Sequence, residues 1–193
     1  MMLVARAWFE TRTRFALAAA VMTATWLAGQ GSDSAKTLFV MLAIVLGGGS
    51  LRQERALGTA GFTLALPVTR RALVAARVAV GFSELAVLAA IPVVAGKLAV
   101  AGAAAWAVCG AAVLAAAFLV STLVASEYAA WLVCFFGVVG YQAAVALTAL
   151  QRWPALDLFR QMTEARPVAL AGFAAAAAVL VCAAHLCQRR SQP

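Results

Sequence analysis

The residues of this chain best suited to chemistry are few. A single histidine, His185, stands with Cys182 and Cys187 near the end of the last apolar run. Cys182 and His185 are three apart and share a helix face, whereas Cys187 lies two beyond His185 and points elsewhere. A zinc site needs four ligands, or three and a water, in tetrahedral reach. No carboxylate stands nearby, so the expectation is a helix-end histidine, where a cation is favoured, and no metal. None of the four cysteines falls in a CxxC pair, which indicates neither a disulfide framework nor a zinc ribbon. Gly47-Gly48-Gly49 runs into Ser50-Leu51-Arg52 with no lysine placed to reach a phosphate, and G-x-x-x-x-G-K-S/T occurs nowhere.

Two ionisable residues sit inside an apolar run, Arg77 and Glu84, seven apart and so on roughly one helix face. Arg77 lies near the start of its helix, where its side chain can snorkel to the interface. Glu84 is deeper, about 18 Å along a helix that starts near Ala72 and rises about 1.5 Å per residue. Charges in lipid are costly and face protein or a water-filled cavity. Glu84 therefore either lines a pathway, contacts a cationic or hydroxylated substrate, pairs with a charge on a neighbouring helix, or is protonated or hydrogen-bonded between helices. Pro92 is a kink in the same run, and Ser121, Thr122, Tyr141 and Gln142 suit interhelical hydrogen bonds. A membrane protease or transferase would need converging groups, such as paired carboxylates or a serine with a histidine at equal depth. One histidine near a helix end and one deep carboxylate do not make such a set. The chain is expected to have no catalytic residue and to bind no cofactor itself.

The elements that position these residues are apolar throughout. Of 193 residues 65% are hydrophobic and only 11% charged, with a mean hydropathy of +0.96, far from an ordinary soluble domain. Apolar runs fall at about 15–30, 37–51, 72–96, 98–125, 128–151 and 167–187. The fold class is therefore all-α, a polytopic membrane protein of about six transmembrane helices in one domain over 1–193. The first two runs are short for a crossing, so their helices extend into the flanking polar residues. Continuous runs without period-two alternation exclude a β-barrel. The alanine clusters 103–105, 115–117 and 174–178 give flat helix faces that approach closely in lipid.

The net charge of +8 does not indicate a nucleic-acid partner, because the fifteen Lys and Arg are scattered between apolar runs. They set topology instead. With six crossings, ten lie on one side, from Arg6, Arg12 and Arg14 to Arg189 and Arg190, and five on the other, Lys36, Lys97, Arg152, Arg160 and Arg166. That bias puts both termini of a multi-pass protein in the cytoplasm, in the inner (plasma) membrane. Residues 1–14 mix Leu3, Val4, Trp8 and Phe9 with Arg and Glu, which suits an interfacial helix or a frayed tail with snorkelling arginines. Residues 152–166 place Trp153, Leu156, Phe159 and Met162 among charges, which suits an outer interfacial or re-entrant segment or a solvated loop.

The most informative stretch is LRQERALGTAGFTLALPVTRRALVAARVAVGFSE, residues 51–84. Arg52, Glu54 and Arg55 leave the second run, and a small, apolar piece ends at Pro67, which disfavours helix at Leu66. Thr69 is placed to cap a helix from Arg70. Residues 52–71 thus form a short cytoplasmic surface helix leading into a transmembrane one, within reach of a soluble partner or merely resting on headgroups.

The order Glu54, Gly58-Thr59, Leu64, Leu66-Pro67-Val68-Thr69-Arg70 and then Arg77 resembles the ABC-2 type permeases. The motif covers about 30 residues and the six-run layout extends the resemblance over the chain. The resemblance implies that 52–71 is a coupling helix, with Arg52, Glu54, Gly58, Thr59, Leu66, Pro67 and Arg70 meeting a nucleotide-binding ATPase subunit. It also implies a second permease subunit in a homo- or heterodimer, ATP and Mg on the partner subunit, and transport in the export direction. Haem export is a variant that no ligand pattern here supports. A membrane scaffold or an immunity protein would share the helix count without the ATPase.

Overall fold

The computed structural model describes residues 2–29, 32–48, 70–124, 126–147 and 154–190. Among these residues the chain is helical apart from short connections, with no strand. Its elements are α1 (Met2–Leu27), α2 (Ser32–Gly48), α3 (Arg70–Val94), α4 (Val100–Leu123), α5 (Glu127–Leu147), a 3-10 turn at Pro154–Leu156, α6 (Leu158–Glu164) and α7 (Pro167–Arg190).

Four of these helices are long and apolar enough to cross a membrane, over Val74–Val94, Val100–Leu123, Tyr128–Val145 and Pro167–Cys187. The first two helices are not among them, for separable reasons. The described part of α2 has 17 residues, which span about 25 Å against a hydrocarbon core of about 30 Å. α1 is long enough but carries Arg6, Glu10, Arg12 and Arg14 in its first half. It is also one unbroken helix, so the polar N-terminal stretch and the first apolar run are continuous. No Gly or Pro falls between Met2 and Leu27 to break it.

Lipid, not water, suits the outer surface. α5 exposes Tyr128, Leu132, Val133, Phe136 and Val139, and α7 exposes Val168, Val179 and Leu186. Apolar surface on that scale is not left facing water by a monomeric soluble protein. The four apolar helices make this a membrane-embedded protein.

The bundle is organised around α4, which packs against α2, α3, α5, α6 and α7, while α1 lies on α2 and α3. Along α2 the buried positions Ala35, Lys36, Phe39, Val40, Ala43 and Ile44 recur at helical spacing. Of these, Ala35, Phe39, Val40, Ala43 and Ile44 share one core with Met22 of α1, Leu85 and Leu88 of α3, and Trp106, Cys109, Val113 and Leu114 of α4. Helices in lipid gain little from the hydrophobic effect and associate by close packing. The glycines show how close. A Cβ on Gly110 would stand 2.6 Å from Phe39 Cε1, and one on Gly48 would stand 2.5 Å from Trp131 Cδ1.

The connections are tight. Gly96 takes φ +67° after α3, and Lys97 N donates to Pro92 O at 2.9 Å, a reversal that favours glycine. α7 opens with Pro167 at its first helical position, where a missing N–H costs nothing. At the opposite end of the bundle Val74 and Val78 of α3, Phe118 of α4 and Ala184 of α7 form a separate small cluster. The start of α3 and the end of α7 therefore lie at the same end.

Candidate functional site

Among the coupling residues, Arg52, Glu54, Gly58, Thr59, Leu66 and Pro67 lie outside the described residues. Arg70 is the first residue of α3. From it one continuous helix carries the chain into the interior, through Arg77 at 6% and Glu84 at 1% exposure. The two are separated by about two helical turns, or about 10 Å.

Glu84 is joined to α1. Thr11 Oγ1 donates to Glu84 Oε1, and the same hydroxyl lies 3.3 Å from Ala7 O one turn earlier in α1. A carboxyl removed from water needs a donor at this cost of burial. Of the alternatives open to Glu84, this conformation realises a hydrogen bond between helices. No local signal pairs residue 11 with residue 84, so Thr11 is a site residue that spacing in the sequence does not reveal.

At the other end, α6 closes over the bundle. Asp157 caps it by accepting from Arg160 N at 3.0 Å, and Ala165 ends it in the left-handed region at φ 51°. Leu158, Gln161 and Met162 are buried beneath it. Trp106 Nε1 donates to Met162 O at 3.1 Å, and Tyr141 Oη donates to Leu156 O. Trp106 in turn packs on Phe39, with ring centroids 5.4 Å apart, and on Trp26, at 6.2 Å. The turn and helix at 154–164 are thus bonded to α4 and α5. Residues 152 and 153 lie outside the described residues.

The charges at this end pair locally. Glu164 meets Arg160 at 2.5 Å and Arg166 at 2.7 Å, and Asp33 meets Lys36 at 2.8 Å. The hydrogen bond from Arg160, followed by the charges of Arg160 and Arg166, holds the Glu164 carboxyl below the usual range. Lys36 does the same to Asp33.

Thr122 does not bridge helices as expected from sequence, whereas the bond of Ser121 within its own helix leaves that expectation open. Ser121 Oγ donates to Phe118 O and Thr122 Oγ1 to Leu119 O, each at 2.7 Å within their own helix. Hydroxyls in an apolar helix find the carbonyl of the preceding turn before a partner helix. Cys182 is exposed and Cys187 partly so, and no group of three His, Cys, Asp or Glu able to hold a metal occurs among the described residues.

Comparison with protein-family models, with curated proteins and with solved structures finds no match.

Proposed function

We propose that this chain is the membrane-spanning permease subunit of an ATP-driven transporter of the ABC-2 type, exporting its substrate. It works with a second permease subunit and a separate nucleotide-binding subunit that holds ATP and Mg. The reading rests on one observation. In the sequence Glu54, Gly58, Thr59, Leu66 and Pro67 follow one another in this order ahead of a helix that starts at Arg70 and buries Arg77 and Glu84.

The mechanism follows from that continuity. Closure of the ATPase on bound nucleotide pushes on 52–71 of two permease subunits. A rigid helix passes the push inward, since a helix of 25 residues behaves as one packed body rather than a flexible link. The Thr11–Glu84 bond ties that helix to α1, so the two shift together against α4. Six crossings, counting α1 and α2, then alternate between inward-open and outward-open arrangements. Both termini and the 52–71 segment face the cytoplasm, on the side favoured by the arginines. No side-chain chemistry is needed, because the energy enters on the partner subunit.

The test is to co-express the chain with the products of its neighbouring genes and purify it in mild detergent. A P-loop ATPase subunit is expected to co-purify with the wild type and to be lost with Glu54→Ala and with Gly58→Trp. Retention of no ATPase under any condition sinks the reading, and a scaffold or immunity role becomes the better account.

A further inference from the structure

An open groove of about 560 Å³ lies on the face of α4 between α3 and α7. Phe82 and Leu85 of α3 wall one side, Ala111 of α4 forms the floor, and Ala178 and Cys182 of α7 wall the other. Every residue that lines it is apolar. Its size lies within the about 300 to 1,000 Å³ typical of ligand sites. A groove without polar partners does not hold water, and all three helices contain a membrane-crossing stretch. The trough therefore sits at hydrocarbon depth and suits an aliphatic chain.

The second observation is charge. α3 begins with Arg70-Arg71 and α7 ends with Arg189-Arg190. The cluster of Val74, Val78, Phe118 and Ala184 puts these helix ends at the same end of the bundle, on either side of Phe118 of α4. From Arg71 to Phe82 is about 16 Å along α3, and from Arg189 to Cys182 about 10 Å along α7, at about 1.5 Å per residue. One leaflet is about half of a hydrocarbon core of about 30 Å. The groove thus lies one acyl-chain depth below the helix ends at which the sequence carries four arginines, a charge complementary to an anionic headgroup with its tail in the trough. A second copy docked here in parallel would bring its own four arginines against these, and like charges oppose that.

We propose that this chain binds an anionic phospholipid between α3 and α7, with the headgroup at the arginine-bearing helix ends and an acyl chain in the groove on α4. The site shares Arg70 with the proposed coupling segment, but its test by Arg189, Arg190, Ala178 and Cys182 does not depend on the transport reading. A bound lipid joins the helix that follows 52–71 to the last helix of the chain, and so sets how freely the two separate.

The test uses the purified full-length chain in mild detergent, titrated with phosphatidylglycerol or with phosphatidylcholine of the same acyl chains and read by native mass spectrometry. Phosphatidylglycerol is expected to bind at least about tenfold more tightly, and inorganic phosphate is not expected to compete. Each surface arginine is worth about 1 kcal/mol toward an anionic lipid, so Arg189→Gln with Arg190→Gln weakens binding about 30-fold. Ala178→Trp, on an exposed wall position, fills the trough and removes binding. In a Cys187→Ser background, maleimide reaction at Cys182 is slowed by phosphatidylglycerol and not by phosphatidylcholine, a readout that needs no change in the trough. Equal binding of the two lipids, unaltered binding by Ala178→Trp, or loss of a dimer rather than of lipid would each overturn the proposal.

Discussion

Gly47 is where a single methyl group should do most damage. A Cβ there would stand 2.6 Å from the Leu114 carbonyl oxygen and 2.9 Å from Ala117 Cβ. Leu114 O is backbone within α4, so no side-chain rotation relieves the overlap. Ordinary contact begins at 3.4 Å, and α2 must retreat from α4 by about 0.8 Å to reach it. A gap of about 0.5 to 1 Å forfeits a quarter to a half of the dispersion energy of each facing atom pair. Overpacking of this kind costs about 1 to 3 kcal/mol, offset by about 1 kcal/mol from the better helix propensity of alanine. Because the obstacle is main chain, we take the upper end and expect Gly47→Ala to destabilise by about 2 kcal/mol. That corresponds to a fall of about 4 to 8 °C in the melting temperature of a chain this size. Thermal unfolding in detergent by intrinsic tryptophan fluorescence reads it directly. Gly137→Ala is the control, since a Cβ at Gly137 meets nothing within 4 Å, and its melting temperature is expected to hold or rise slightly. A Gly47→Ala protein as stable as the Gly137→Ala protein would refute the packing argument.

Trp106→Phe keeps the aromatic contact with Phe39 but strands the Met162 carbonyl, so about 1 to 3 kcal/mol is lost and hydrogen exchange should rise across 158–164. Thr11→Val removes the donor to a buried carboxyl and is expected to cost a similar amount, whereas Thr11→Ser retains stability. Held below the ordinary carboxylate range by the hydrogen bond from Arg160, the Glu164 carboxyl contributes stability that is fully present above its unfolded pKa and is lost as pH falls through its lower folded pKa. Proteolysis of 154–166 should accordingly quicken below pH 4.5 in the wild type and show no such step in Glu164→Gln.

Much of this architecture is legible from residue order because helices in lipid must be long and apolar. The runs at 72–96, 98–125, 128–151 and 167–187 correspond to α3, α4, α5 and α7, and the start of α3 at Arg70 follows from Pro67 and Thr69. α2 begins at Ser32, as a short run drawing on its polar flank requires. The segment 152–166, read as an interfacial or re-entrant piece or a solvated loop, holds a helix at 158–164 in which Met162 is buried, while Leu156 before it is exposed. Where reading fails, the reason is a long-range partner. The charges at 6–14 suggest a separate surface helix, but nothing in α1 breaks it, and its burial against α3 is written in residues 73 positions away. Thr122 looks like a bridge because its reach is ambiguous in sequence, and the nearest carbonyl wins. The glycines at 47 and 48 read as a failed phosphate loop. Their close approach to α4 and to Trp131 emerges only when the helices are packed.

The central claim is that a push on 52–71 from an ATPase moves this bundle. The most direct measurement is ATP turnover by the co-purifying nucleotide-binding subunit in proteoliposomes, with and without this chain. The account predicts turnover that rises when the chain is present and returns to the lone subunit's rate with Gly58→Trp. An ATPase whose rate is the same with the wild-type chain, with Gly58→Trp and with no chain at all would contradict it.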